Sequence, residues 1–524
     1  MFSSTRGVLF LIFIFLITPC YSQLIQPEDL EYKGAFRLPE GSGGSDWYYS
    51  GNAMTYYPDG DSSGPNDGFP GSIFAIGHDH QQYVSEISIP APVISSEKNF
   101  DELNTATTLQ PFSDITGGMF GYLEMPTAGL SYLPPQGNQS SGKLYFCWGQ
   151  HIQFQEVSHG WCELNLSNPQ TAGPWHFGDF NNFTTSDYLF EIPKDWADAN
   201  TPGLYMASGR FREGVWSGLG PALYAFAPWK DGNPPASNAT LTSISRLLLY
   251  GTDDPNVPEI QTNESQKFNQ HNYADQWTGA CWLTAGENSA VVFIGTKGMG
   301  NGWYGFSDGT VWPYEGPYPP IPDPPHNERG YWADSIRAQI LFYDPADLAA
   351  VVQGTKQSWE PQPYAVLDIN DHLFDPGYDY WRQKMHLLGA SCFDRERSLL
   401  YVFERRADDE KSIVHVWKVN AGSTGVKRNF HNLDFELFQN YPNPFNLSTT
   451  LTFQIVRKSD VNISISDILG RKIKVFVNKN LYPGFHSINW DGRNEMGNEV
   501  SSGLYFFRFE IGELISTRKG LLLK

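Results

Sequence analysis

Four stretches of the chain repeat one design, and that repetition limits the available folds more than any other feature. They are "SGNAMTYYP…GSIFAIGHD", "TAGLSYLPP…GKLYFCWGQH", "WTGACWLTAGENSAVVFIGTK" and "LLGASCFDRERSLLYVFERR". Each has small residues, an alternating strand, a turn and a second strand; "PGLYMASGRF" keeps only the second strand. A return strand follows each: "YVSEISIP", "GWCELNLS", "PALYAFAP", "RAQILFYDP" and "SIVHVWKV". Antiparallel units that cannot bury both faces alone are satisfied by radial stacking, which predicts an all-β fold, a β-propeller. Five blades are expected, and up to seven if degenerate ones hide between Ser167 and Thr201 or between Leu241 and Gln270. The early "LEYKGAFRLPEG" would close the ring against the last blade. A β-sandwich with long insertions is the rival fold. Aromatic residues at 15%, with 50 Gly, 36 Pro and little helical periodicity, agree with an all-β chain.

The chain opens "MFSSTRGVLFLIFIFLITPCYSQ", with Arg6 before an apolar run ending near Ile17 and small or polar residues after it. This reads as a secretory signal over residues 1–22, cut after Ser22, because the run is too short to span a membrane. A lipoprotein anchored at Cys20 is the alternative. The net charge of -21, from 57 acidic and 36 basic residues, argues against nucleic acid or anionic lipid as partners. An oxidising compartment permits a bridge between Cys147 and Cys162, with buried free thiols an equal alternative for these and for Cys281 and Cys392.

The expected propeller spans 23–420 and a linker 421–434. After it the texture changes to "FELFQNYPNPFNLSTTLTFQI", "VNISISDILGRKIKVF", "PGFHSINWDGRNEMGNEVSSGLYFFRFEIGE" and "STRKGLLLK". Alternating strands with Gly-marked turns predict a small immunoglobulin-like sandwich over 435–524. At "YPNPFN", "DILGRKI", "WDGRNEMGNEVSSGLYFFR" and the basic terminal strand, this segment resembles the type A C-terminal sorting domain of type IX secretion substrates, with Leu447 where proline is commoner. The resemblance implies the type IX secretion machinery as partner, and a secreted or outer-membrane surface-attached product. The preceding domain resembles secreted bacterial propeller proteins of unsettled function.

Superposing Gly77, Gly149, Gly209 and Gly295 with Glu404 brings His78, Gln150, Arg210, Thr296 and Arg405 to one level, and Asp79, His151, Phe211, Lys297 and Arg406 to the next. Equivalent strand ends share a face of a propeller. A ring of cations in an acidic protein suits a bound anion, since like charges in a partly desolvated funnel repel. The competing reading pairs Arg405 and Arg406 with Glu404, Asp408 and Asp409, and His78 with Asp79. Aromatic residues near this mouth, among them Trp47, Tyr48, Trp216, Trp303 and Tyr304, suit stacking on sugar rings, although aromatics also fill propeller cores.

These residues frame the expected function: binding or degrading an anionic polysaccharide, or else a non-catalytic adhesion or protein-interaction propeller. Were it an enzyme, elimination beside a uronate is favoured over hydrolysis. His78, His80, His271, Tyr273 or His386 would supply the base and Arg210 or Arg405 the neutralising cation. Hydrolysis would need paired carboxylates such as Asp79, Glu213 and Asp275, which nothing in the sequence pairs. His151, Lys297 and Arg406 would contact substrate. "DGDSSGPNDG" places Asp59, Asp61, Ser63 and Asp67 at a calcium-loop spacing, but Pro70 stands where a bidentate Glu is required, so an acidic hairpin tip competes with a structural calcium site.

Overall fold

In the computed structural model, the structure describes residues 24–61, 64, 68–121, 126–150, 155–211, 217–252, 257–260, 262, 264–269, 271–377, 386–421, 435–437, 440, 443–455, 458–512 and 514–523. The expected signal at 1–22, residues 422–434 of the expected linker, His151, Glu213, Trp216, Ser63 and Asp67 lie outside them.

Among the described residues before the linker, the strands form five antiparallel-based sheets. The innermost strands are Met54–Tyr57, Thr127–Leu133, Tyr188–Glu191, Gln276–Ala285 and Leu388–Asp394. Each packs on the next, and the last packs on the first, so the sheets close a cycle rather than form two facing layers. The N-terminal strand Leu30–Arg37 pairs with Lys411–Val419, from Leu30 opposite Val419 to Arg37 opposite Ile413, and so becomes the outer strand of the fifth sheet. The stretches suspected of hiding further units instead supply strands to the second and third sheets: Ala172–Phe177, Tyr188–Glu191, Thr240–Leu241 and Ile244–Leu248.

The second strand of each sheet shows why the ring closes. Successive side chains of a strand point to opposite faces. In the first sheet Ile73 and Ala75 pack with Tyr401, Phe403 and Val414 of the fifth, whereas Phe74 and Ile76 pack with Leu130, Phe146 and Trp148 of the second. In the fourth, Val291 and Phe293 join the cluster shared with the third sheet, and Val292 and Ile294 join Leu400 and Val402 of the fifth. A strand apolar on both faces needs a neighbour on both sides, and only a closed ring supplies one for every sheet.

The same alternation removes the expected Cys147–Cys162 bridge. Cys147 lies opposite His159 and Cys162 opposite Leu144. An odd offset along the strand puts the two thiols on opposite faces, in different clusters, and all four described cysteines are buried and free.

His159 is fully buried, with Nδ1 2.8 Å from Ser158 Oγ and Nε2 3.1 Å from Ser208 Oγ, and burial pushes its pKa down to about 3. An unfolded histidine takes up its proton near pH 6.5, so between about 6.5 and 3 the unfolded chain binds more protons than the folded one. This contribution is complete above about pH 6.5 and is lost at about 1.4 kcal/mol per pH unit as the solution is acidified. Denaturant titrations of wild type and His159→Phe at pH 7 and pH 5 should therefore show a flatter pH dependence in the variant; equal slopes would rule His159 out as the source.

After the linker, two sheets form a second unit. One orders Phe435–Leu437, Thr449–Ile455 and Gly484–Trp490; the other orders Lys472–Leu481, Ser459–Asp467, Gly503–Ile511 and Leu514–Leu522. Leu451, Phe453, Ile463, Trp490, Phe507 and Phe509 form their shared core.

Candidate functional site

Groups from several sheets converge at the end of the ring where inner strands begin and second strands finish. The recurrent glycine there has a steric origin. A Cβ on Gly209 would lie 1.9 Å from the Ala222 carbonyl oxygen, and one on Gly295 2.0 Å from that of Gln276. Backbone crosses these strand ends closely, and the next side chain is directed onward from the crossing.

Arg210 is fully buried, and both terminal nitrogens donate to the Gln150 carbonyl at 3.2 Å, joining the third sheet to the second. The stem of Arg405 crosses Gly51 and Gly389, where an added Cβ would lie 3.0 and 3.2 Å from its Cγ. Desolvation lowers the Arg405 pKa, while the Asp79 and Asp187 carboxylates act in the opposite direction. Asp187 belongs to the third sheet, which is not adjacent to the fifth, so this coupling reaches across the axis. Thr296 Oγ1 accepts from the Leu387 amide at 2.8 Å, joining the fourth sheet to the fifth.

Two of the expected ligand cations are already engaged. Lys297 Nζ lies 2.7 Å from Asp275 Oδ1 in a buried pair, and Asp275 also accepts from the Gly298 and Asn272 amides. Arg406 makes a two-point contact with Glu410 at 2.6 and 3.3 Å over the Tyr49 ring. Arg37, not Arg405 or Arg406, pairs with Asp408, and Glu404 pairs with His415. A ring of uncompensated cations is therefore not what the fold builds, and the preference for an anionic ligand loses its footing.

His78 lies against the edge of Tyr49 at 5.5 Å, and its Nδ1 is 3.2 Å from Asp79 Oδ1. His80 is exposed. Trp47, expected to stack on substrate, is fully buried against Phe112, because the first and fifth sheets need an apolar filler there. Tyr48 is half-buried beneath Lys411. His386 is half-buried, two residues before the fifth inner strand. Asp59 and Asp61 do not belong to any group of three clustered ligands among the described residues.

The fourth sheet adds a projection to this end. Its second and third strands, Asn288–Gly305 and Gly330–Tyr343, pair far beyond Gln276, where the inner strand starts. Past Lys297 they continue as a two-stranded arm, with Tyr304 opposite Tyr331 and Trp303 opposite Trp332. Tyr273 stacks on Tyr331 at 6.1 Å and 18°, Tyr304 follows at 4.9 Å, and His271 abuts Tyr273 at 5.3 Å. Trp303 is partly exposed and donates Nε1–H to the Phe306 carbonyl at 2.9 Å. The proline-rich tip returns Arg329 over Trp312 and Tyr304, and Glu328 is near enough to act on the Arg406 charge. Asp187, Tyr331 and Arg329 are the contributors that sequence reasoning missed. Asp187 could have been sought at the start of the third inner strand, whereas Tyr331 becomes visible only through its pairing with Tyr304.

The opposite end holds a cavity of about 310 Å³ lined from all five inner strands, with Thr55, Tyr132, Phe190, Trp282 and Ser391 on its wall. Arg395 and Glu191 meet there at 3.3 Å.

The class is defined by the C-terminal unit: the protein is an exported, all-β chain carrying a sorting tail. Residues 439–523 match the family model of the secretion system C-terminal sorting domain, here of the type IX system. Such a tail marks the chain for secretion or attachment at the cell surface and implies engagement with the type IX machinery. Among the described residues, no helix is long and apolar enough to cross a membrane. No curated protein matches the chain. Among solved structures, similarity is found to PorZ, a bacterial surface component of the type IX secretion system of Porphyromonas gingivalis, at 12% identity and a TM-score of 0.28, over 92% of this chain and 53% of that one. Dimeric latent PorU from the same organism gives 11% and 0.17, over 90% and 33%. A glycoside hydrolase family 43 arabinoxylan arabinofuranohydrolase from Bacillus subtilis gives 8% and 0.31, over 92% and 98%. The chain thus spans about half the length of the first and a third of the second, and at these scores none of the three bears on its chemistry.

Proposed function

We propose that residues 23–420 form a five-bladed propeller that binds a polysaccharide outside the cell, and that residues 435–524 are an immunoglobulin-like sorting domain that delivers it there after an N-terminal signal has been removed. The observation that carries the ligand class is the row Tyr273, Tyr331, Tyr304, with Tyr273 48% and Tyr304 37% exposed, beside the converging polar groups. Rings in series offer apolar faces to the C–H side of successive sugars. With Lys297 and Arg406 matched by Asp275 and Glu410, a neutral or mixed glycan fits better than a polyanion, and binding fits better than elimination.

The test is retention of the full exported chain on a panel of neutral and uronate-containing glycans, with assays for new reducing ends and for ultraviolet-absorbing unsaturated products. Wild type should be retained without product, and Tyr304→Ala/Tyr331→Ala should bind at least about tenfold more weakly, equivalent to about 1.4 kcal/mol. Retention on no glycan, or an unchanged double variant, would overturn the assignment; product release would replace a binder with an enzyme.

A further inference from the structure

The loop leaving the second strand of the first sheet presents His78, Asp79 and His80 in succession, and one ligating atom of each lies within 4.8 Å of the others. No other group of three such residues occurs among the described residues. Asp79 Oδ1 is 3.2 Å from His78 Nδ1 and 4.0 Å from His80 Nε2. A tetrahedral ion with bonds of about 2.0 Å holds its ligands about 3.3 Å apart, so small side-chain rotations bring all three onto one ion.

Two details separate this triplet from an ordinary polar loop. The His80 amide donates to His78 Nδ1 at 3.2 Å, so that nitrogen carries no proton, and an ion bound there would take the place of the amide N–H. Asp79 Oδ1 is shielded from solvent and accepts no hydrogen bond. Two acceptor atoms therefore face each other at 3.2 Å, an arrangement that calls for a positive centre between them. The nearby cations do not forbid a second positive charge: Arg406 is held by Glu410, and Arg405 is shared by Asp79 with Asp187. Two imidazoles and one carboxylate suit zinc and its neighbours, while calcium and magnesium require more oxygen ligands. Because His80 is 85% exposed along its side chain, remaining coordination positions would face solvent at the mouth of the ring.

We propose that His78, Asp79 and His80 form a binding site for a divalent transition-metal ion of the zinc class. The site is independent of the glycan reading, since it draws on no residue of the tyrosine row. The experiment titrates zinc into the chelator-stripped, tag-free full chain by calorimetry and cobalt by visible absorbance. One equivalent should bind, with the ligand-field bands of a low-coordinate cobalt site and a rise in thermal midpoint on adding zinc. His80→Ala, a surface change that leaves the fold intact, and Asp79→Asn should each weaken binding at least about tenfold and abolish the bands. Absence of binding by wild type, or unchanged affinity and spectrum in His80→Ala, would overturn the proposal and leave a proton as what joins His78 to Asp79.

Discussion

Replacing Glu404 with alanine should lower the stability of the ring by about 3–5 kcal/mol, since each buried hydrogen-bond partner left unsatisfied costs roughly 1–3 kcal/mol. Glu404 and His415 are both fully buried, with Oε2 and Nε2 2.8 Å apart. The same carboxylate accepts from the Phe374 amide at 2.9 Å and the Asp375 amide at 2.7 Å, and His415 Nδ1 is 2.8 Å from the Tyr32 hydroxyl. Truncation strands an imidazole and two amides in a site closed to water, and it loosens the closing strand that carries Tyr32. Burial, with Glu404 adding to it, raises the Tyr32 pKa, so the phenol stays protonated and can donate. The measurement is urea unfolding monitored by tryptophan fluorescence. Glu404→Gln, which keeps one acceptor oxygen, should lose less than Glu404→Ala; equal midpoints for wild type and Glu404→Ala would show that the network contributes nothing.

Lys297→Met should cost a similar amount, again about 3–5 kcal/mol, by leaving Asp275 buried without its cation. Asp275 is fully inaccessible and Lys297 nearly so, and the lysine also donates to the Gly298 carbonyl at 2.8 Å. The methionine fills similar volume, so the loss reports charge and hydrogen bonding rather than a cavity. Because this pair is internal, the fraction that remains folded should retain wild-type affinity for glycan. A stable variant with weakened glycan binding would instead make Lys297 the ligand contact that its position first suggested.

The repeated strands and the closing segment "LEYKGAFRLPEG" were readable because each depends on local alternation and on a partner strand of the same kind. The backbone crossings before His78 and Arg210 were readable too, because Gly77 and Gly209 mark them, whereas Glu404 before Arg405 gives no such mark. What could not be read was which charges meet. Lys297 finds Asp275 through the fourth sheet's register, and Arg406 turns to Glu410 where its own backbone adopts a φ of +50°. Cys147 and Cys162 looked paired until the exact register placed them an odd number of positions apart. Trp47 looks like an aromatic loop residue in sequence, yet it fills the seam between the first and last sheets. Nothing in the sequence announced that the second and third strands of the fourth sheet would carry Tyr304 and Tyr331 beyond the edge of their sheet.

Leu30–Arg37 and Leu388–Val419 meet in one sheet although nearly the whole ring separates them in the chain. Such a seam is a long-range contact, and its closure entropy must be met before its hydrogen bonds form. A nascent or truncated chain lacking either partner would present open strand edges, the surfaces on which extended polypeptides pair indiscriminately. Assembly of this molecule is accordingly an end-stage event, slow compared with the local hairpins.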